Sequence, residues 1–427
     1  MRTLSGIFLF VLINCLTTFS QPVDYDEYFT GERMRVDLVF AGNHDTTMVY
    51  LKKIKKEPVW GGTRTNLLDY MNRGHFMVNI SDKESYWQIY SKGFSTLWEE
   101  WQTTAESKNT FKSMNASITF PFPKEEIILE LYIRNDLNHF DRIFQLDINP
   151  ESIFIESNLP FEFATGKVLD NGDPADHIDL TFVAEGYTKE QMDDFRADVK
   201  EFSDHLFRVE PFKDQKDKFN IWAVYSESDD EGTDIPGEGI WKNTILNTNF
   251  YTFGSERYLM TYDYNRVCDV VAAVPYDQIF VLVNTEKYGG GGVYNNYCVG
   301  SSGNSYSPTV MVHEFGHGFG GLGDEYYSSS TAYEDFFDLS VEPWEPNLTT
   351  LVNFSSKWAD MVDEDVPIPT PPEKKYLDRT GVFEGGGYVS KGVYRPAFDC
   401  RMKSNEADGF CEVCKKALMD MIKFYTE

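Results

Sequence analysis

Histidine is scarce in this chain, with seven in 427 residues, and none lies after His317. Any metal or acid-base chemistry that needs imidazole must draw on that residue or earlier ones, and later contributions must come from other side chains. Basic residues are also few. Lysine and arginine number 39 against 68 aspartates and glutamates, a formal net charge of -29. Such an excess of carboxylates repels phosphate backbones and anionic headgroups, so a nucleic-acid partner is not expected. The charge serves solubility in the simplest reading, with selection of cationic substrates as the alternative. Beyond the amino terminus no stretch approaches the run of about 20 apolar residues that crosses a bilayer. EF-hand spacing is missing too, although Ser228-Asp229-Asp230-Glu231-Gly232-Thr233-Asp234 is a loop that would suit a structural Ca2+. There is no internal repeat.

Arg2 precedes an apolar stretch from Leu4 to Leu16, followed by Thr17-Thr18-Phe19-Ser20 and then Gln21. One positive charge, a short apolar region and small residues at the -3 and -1 positions are the layout of a secretory signal peptide over residues 1–20. Cleavage after Ser20 and secretion are therefore expected. Cys15 raises lipoprotein anchoring as an alternative, but Asn14 stands where such sites want a small residue. Loss of the leader takes Cys15 with it and leaves five of the six cysteines, so at least one thiol is free or intermolecular. Cys411-x-x-Cys414 can be a redox pair or half of a zinc site, but in an exported protein a structural disulfide with Cys400 is preferred, and Cys268 and Cys298 form the other natural pair. Neither the pairing nor the oligomeric state follows from sequence.

Hydrophobic residues make up 41% of the chain and aromatics 15%, which argues for packed globular domains rather than disorder. The length exceeds what one core usually serves. Runs such as Arg35-Val36-Asp37-Leu38-Val39-Phe40 and Ile127-Ile128-Leu129-Glu130-Leu131-Tyr132-Ile133 alternate with period two between turn residues, and antiparallel strands follow. Residues 21–155 are expected to form a β-sandwich, whose His44, His75 and His139 show no ligand spacing. A linker over 156–176 leads to a buried strand ending at Gly186. Thr188 to Gln191 matches a capping box and opens an amphipathic helix. With further strands at 219–225 and 278–283, the region 160–427 is α/β in character, and the whole chain α+β.

Ser307 and Pro308 open a helix with broad apolar cover from Val310, Met311, Val312, Phe315 and Phe319. His313 and His317, four apart, project from one face and can place two imidazole nitrogens on one zinc ion. Beside the first lies Glu314, whose carboxylate can take a proton from a zinc-activated water. Peptide-bond hydrolysis is the chemistry implied. Gly320 stops the helix and Gly321-Leu322-Gly323 turns the chain back, as in a metzincin-like arrangement. No histidine follows His317, so a downstream third ligand cannot be imidazole and a carboxylate is the economical substitute: Asp324 is preferred, Glu325 is the neighbouring choice, and Glu334 or Glu342 would suit a more distant geometry. Tyr326 is a candidate phenol donor. Tyr288-Gly289-Gly290-Gly291-Gly292-Val293-Tyr294 allows close backbone approach, and Gly290, Gly291 and Gly292 are expected beside an extended substrate. A phosphate loop is the poorer reading, since no Lys-Ser or Lys-Thr follows. Met402 is the candidate for a methionine turn beneath the metal.

Taken together, His313 to Tyr326 read as H-E-F-G-H-x-F-G-G-L-x-D-E-Y, the tetraglycine, Phe383-Glu384-Gly385, Tyr394-Arg395-Pro396, Cys400-x-Met402 and Phe410-Cys411-x-x-Cys414 resemble the IgA-specific metallopeptidase family of secreted bacterial metzincin-like zincins. Ala184-Glu185-Gly186-Tyr187-Thr188 resembles the opening of its catalytic domain. Gly93 to Thr104 and Pro121-Phe122-Pro123-Lys124 resemble its amino-terminal β domain. The resemblance implies a zinc endopeptidase with His313, His317 and Asp324 as ligands and Glu314 catalytic, acting on a protein or peptide. It carries no assignment of immunoglobulin as substrate, because specificity resides in clefts and exosites. Two other readings compete: an adhesin or glycan- or protein-binding module with a structural zinc, and a zinc amidase or exopeptidase.

Overall fold

A computed structural model describes residues 23–327 and 337–427. The leader at 1–20, Cys15 and Glu334 lie outside the described residues. The short helix α1 (Tyr25–Tyr28) leads into strands β1 (Phe29–Asn43), β2 (Thr46–Glu57), β3 (Phe76–Asp82) and β4 (Gln88–Phe94). After helix α2 (Leu97–Gln102) come β5 (Lys112–Pro123), β6 (Ile127–Arg134) and β7 (Phe140–Ile148). These strands form two sheets, β2-β1-β5 and β4-β3-β6-β7, antiparallel throughout. Alternation explains why they pack as a sandwich: Phe40 of one sheet and Phe76 of the other are both fully buried, and their rings meet with centroids 5.0 Å apart. α2 is opened by a capping box in which Thr96 N–H donates to Glu99 Oε1 at 2.5 Å.

The second region begins with β8 (Thr165–Leu169), β9 (Ile178–Glu185), α3 (Met192–Leu206), β10 (Phe219–Val224), α4 (Tyr264–Val271) and β11 (Gln278–Val283). It continues through β12 (Gly290–Gly292), β13 (Cys298–Ser301), α5 (Ser307–Gly320), the hairpin β14 (Phe383–Gly386) and β15 (Val389–Arg395), and α6 (Glu412–Thr426). A six-stranded sheet of order β12-β13-β11-β9-β10-β8 is parallel at its centre and antiparallel at both edges. β8 falls inside the stretch read as a linker. It is a half-exposed edge strand, and with only one neighbour to pair it needs little apolar sequence.

The two faces of this sheet are covered differently. Ile178, Leu180 and Phe182 of β9 pack with α3, α5 and α6, whereas Val183, Val281 and Val299 turn to the face shared with α4 and the sandwich. Cys268 lies in the second of these cores and Cys298 in the first, so the disulfide expected between them is not formed; both are buried free thiols on opposite sides of the sheet. The sandwich is joined to α4 by ion pairs. Arg35, fully buried, bonds Glu57 Oε1 at 2.8 Å, Asp37 Oδ2 at 3.0 Å and the Asp269 carboxylate of α4. Arg33 donates to Val274 O at 2.9 Å and lies 3.7 Å from the centre of the Tyr276 ring. The architecture is α+β, and no helix among the described residues is long and apolar enough to cross a membrane.

Candidate active site

Helix α5 starts at Ser307, with Tyr306 in the capping position and Pro308 in the first turn, one residue earlier than the capping arrangement read from sequence. Val310, Met311, Val312, Phe315 and Phe319 are buried, and Thr309, His313, Glu314 and His317 are left half-buried. This burial pattern follows the helical period, so the two histidines and the glutamate share the strip that faces a cleft of about 1100 Å³. The helix ends at Gly320. Gly321 adopts φ 62°, a left-handed conformation open to glycine, and its N–H bonds His317 O at 3.0 Å. The chain then returns, carrying Asp324 toward the histidines.

Three atoms meet there. His313 Nε2 and His317 Nε2 are 3.1 Å apart, and Asp324 Oδ1 lies 3.1 Å from the first and 3.3 Å from the second. Each imidazole is oriented through its other nitrogen: His313 Nδ1 lies 2.9 Å from Arg401 O, and His317 Nδ1 lies 2.6 Å from Leu322 O. Carbonyl oxygens only accept, so both Nδ1 atoms carry a proton, and in the neutral imidazoles both Nε2 atoms present lone pairs. Asp324 Oδ1 is buried and has no hydrogen-bond donor among the described residues. Three acceptors crowded at this distance repel one another unless a cation or added protons lie between them. Two nitrogens on one tetrahedral zinc stand about 3.3–3.4 Å apart, so the residues fit such an ion. Without one, burial pulls the His317 pKa down, but Asp324 and Glu314 lift it to about 9. Burial raises the Asp324 carboxyl, and His317 and His313 outweigh it and hold the group well below the usual range. Glu314 is raised, chiefly by burial.

The alternatives for the third position separate by direction. Glu325 points away from the histidines, into a buried group with Cys400, Cys411 and Cys414. Glu342 lines the cleft and accepts from Asn353 N–H at 2.8 Å through Oε2, but it is not among the residues whose ligand atoms meet at the histidines. Tyr326 stacks beside His313, with centroids 6.5 Å apart. Sequence reasoning missed Tyr388, whose hydroxyl donates to Asp324 Oδ2. It sits in the two-residue turn between β14 and β15, where Gly387 and Tyr388 have φ 55° and 65°. The run Gly385-Gly386-Gly387 was the available signal for such a hairpin turn.

Met402 is fully buried under α5: a Cβ built on Gly316 would lie 2.6 Å from its Sδ. Arg401 holds this loop in place by donating to Asn405 O at 2.8 Å and Ala407 O at 2.7 Å. Gly290, Gly291 and Gly292 line the cleft as β12. A Cβ at Gly292 would fall 2.3 Å from Glu314 O, so only glycine lets strand and helix approach this closely. Backbone cannot yield as a side chain can, and Gly292→Ala is expected to cost about 1–3 kcal/mol of stability and to lower turnover by displacing Glu314. Chemical denaturation and kcat measured together would check it; an unchanged protein would show that β12 has room to move.

The sandwich also reaches the cleft. α2 contributes Glu100, which accepts from the Tyr258 hydroxyl and whose carboxyl burial pushes up to about 7. Thr96-x-x-Glu99 was the available signal for this helix, but nothing in the sequence placed it at the cleft. His75 lines the same space, packed edge-on against Trp344 with centroids 5.8 Å apart, and belongs to neither candidate metal group. The Ser228–Asp234 loop lends no support to a Ca2+ site. Asp229 and Asp230 accept from Asn243, and Asp234 accepts from Lys242 N–H at 2.6 Å. The expected disulfide to Cys400 is not formed either: Cys400 Sγ and Cys414 Sγ are 3.8 Å apart, and all three carboxy-terminal cysteines are free thiols.

A helix bearing two histidines and a glutamate over an open cleft, with a carboxylate folded back onto them, defines a protein of the metallopeptidase class. The chain belongs to the IgA peptidase M64 family, whose model matches residues 167–380 and 372–422, while that of the peptidase M64 N-terminus matches residues 24–145. Membership makes it a peptidase, a hydrolase whose substrate is a protein or peptide. No curated protein matches the chain at a significant level.

Proposed function

We propose that the protein is a secreted zinc-dependent endopeptidase in which His313, His317 and Asp324 hold the metal and Glu314 moves the proton. The observation that carries this reading is the meeting of two Nε2 atoms and one carboxylate oxygen within 3.3 Å, with no hydrogen-bond donor to that oxygen among the described residues. Zinc bound there would supply Lewis acidity, lowering the pKa of water toward 7 and polarising the scissile carbonyl. Glu314 then takes a proton from the attacking water and delivers it to the leaving amine, a role helped by burial, which raises its carboxyl above the ordinary carboxylate range. The Arg401 and Leu322 carbonyls keep the imidazoles in one tautomer, Tyr388 holds Asp324, and Met402 supports the helix from below. Gly290 to Gly292 form a side-chain-free wall along which an extended peptide can lie close to Glu314.

Among the described residues three ligand groups rather than four meet there, an arrangement with a coordination position left open, which favours catalysis over an adhesin's structural zinc. The cleft is open and lined from both the sandwich and the sheet, which favours cleavage within a chain over an exopeptidase or amidase pocket. In this reading residues 1–20 direct export, 21–155 form the amino-terminal sandwich and 160–427 the catalytic domain. Incubation of the full chain with casein or a peptide library is expected to give internal cleavages that chelator abolishes and added Zn2+ restores. Chelator-insensitive cleavage, or release of terminal residues alone, would count against it.

A further inference from the structure

We propose that Cys400, Cys411, Cys414 and Glu325 bind a second metal ion, a structural zinc, on the far side of the segment that carries Asp324. Three thiols and one carboxylate offer ligand atoms that all lie within 4.8 Å of one another. Cys400 Sγ and Cys414 Sγ are 3.8 Å apart, and Cys414 Sγ is 3.2 Å from Glu325 Oε1. Two sulfurs at the zinc–sulfur bond length in a tetrahedral site stand about 3.8 Å apart, and a sulfur and a carboxylate oxygen about 3.5 Å. A disulfide requires S–S contact near 2.05 Å. It would also engage only two of the three thiols.

Glu325 is the independent observation that points to a ligand. Its side chain is wholly buried, and Oε2 has no hydrogen-bond partner among the described residues. Asn347 satisfies only Oε1, at 3.1 Å. A buried carboxylate with an orphaned oxygen is costly unless a cation meets it. Arg395 and Lys403 lie close enough to act electrostatically on Glu325, but neither donates a hydrogen bond to it. Binding would leave three thiolates and one carboxylate on the ion, with any protons those four groups carry released to solvent, and would form three Zn–S bonds and one Zn–O bond with no change of oxidation state. Four protein ligands close the coordination sphere, so the site would brace the fold rather than react.

Its position explains what it would brace. Glu325 follows Asp324 and donates its N–H to Met402 O at 2.8 Å, while Cys400 lies two residues before Met402 and next to the Arg401 carbonyl that orients His313. One ion would thus tie the return segment, the Met402 loop and the start of α6 together. The inference stands apart from the catalytic reading.

The test uses the full chain and its His313→Ala/His317→Ala variant, each equilibrated with Zn2+ and freed of excess. Wild type is expected to retain about two zinc ions and the variant about one, with sulfur-dominated X-ray absorption at about 2.3 Å in the variant. Wild-type protein loaded with Co2+ should show thiolate-to-cobalt charge-transfer absorption. Absence of that absorption, a zinc-free variant, a shell of nitrogen and oxygen alone, or a disulfide among the three cysteines in non-reducing peptide maps would each overturn the proposal. One zinc in wild type and none in the variant would do so while leaving the peptidase reading intact. Equal zinc in both would instead remove the catalytic metal.

Discussion

Glu314→Gln is expected to lower turnover by about 10²- to 10⁴-fold, with KM, zinc content and unfolding midpoint close to those of the parent. The amide keeps the volume of the side chain, so the Gly290–Gly292 wall and α5 need not move. It cannot accept the proton of the attacking water near neutral pH, and the penalty falls on the chemical step. Peptide cleavage at saturating substrate, paired with metal analysis, separates this from loss of the ion. Metal-dependent cleavage that survives the substitution would sink the role given to Glu314.

A comparable effect on stability is expected at the seam between the sandwich and the catalytic region. Arg35 is buried among Glu57, Asp37 and Asp269. Arg35→Met fills similar space but leaves three carboxylates short of their shared cation, a change of the kind that costs about 3–5 kcal/mol. Arg33 and Lys55 stay near Glu57 and Asp269 and temper the loss without replacing the fork of hydrogen bonds. Denaturant unfolding should show the shift, and adding Glu57→Gln to Arg35→Met should cost less than Glu57→Gln alone. Additive effects, or a loss under about 1 kcal/mol, would mean that the seam is held by apolar packing instead.

Much of helix α5 was legible. The spacing of His313 and His317, the apolar residues on the other sides and the stop at Gly320 are local properties, set by the helical period and by glycine's access to left-handed φ. The strands of the sandwich were readable for a related reason, because period-two alternation marks a sheet buried on one face. β8 was not, since an edge strand carries little of that alternation.

Sequence alone determined that two imidazoles and a carboxylate share one helical face, and, through the absence of any later histidine, that any group joining them from beyond the helix had to be another kind of side chain. It left Asp324 and Glu325 side by side. Successive side chains on an extended segment point to opposite sides, and only tertiary structure decided which side holds the histidines and which the thiols. The same holds for the cysteines, whose spacing suggested a disulfide until three sulfurs and an orphaned carboxylate oxygen were found around one point. Glu100 and Tyr388 reach the cleft from elements about 200 and 70 residues from α5. Local propensity reports nothing over such separations, because what joins these elements is burial of surfaces that the chain brings together only on folding.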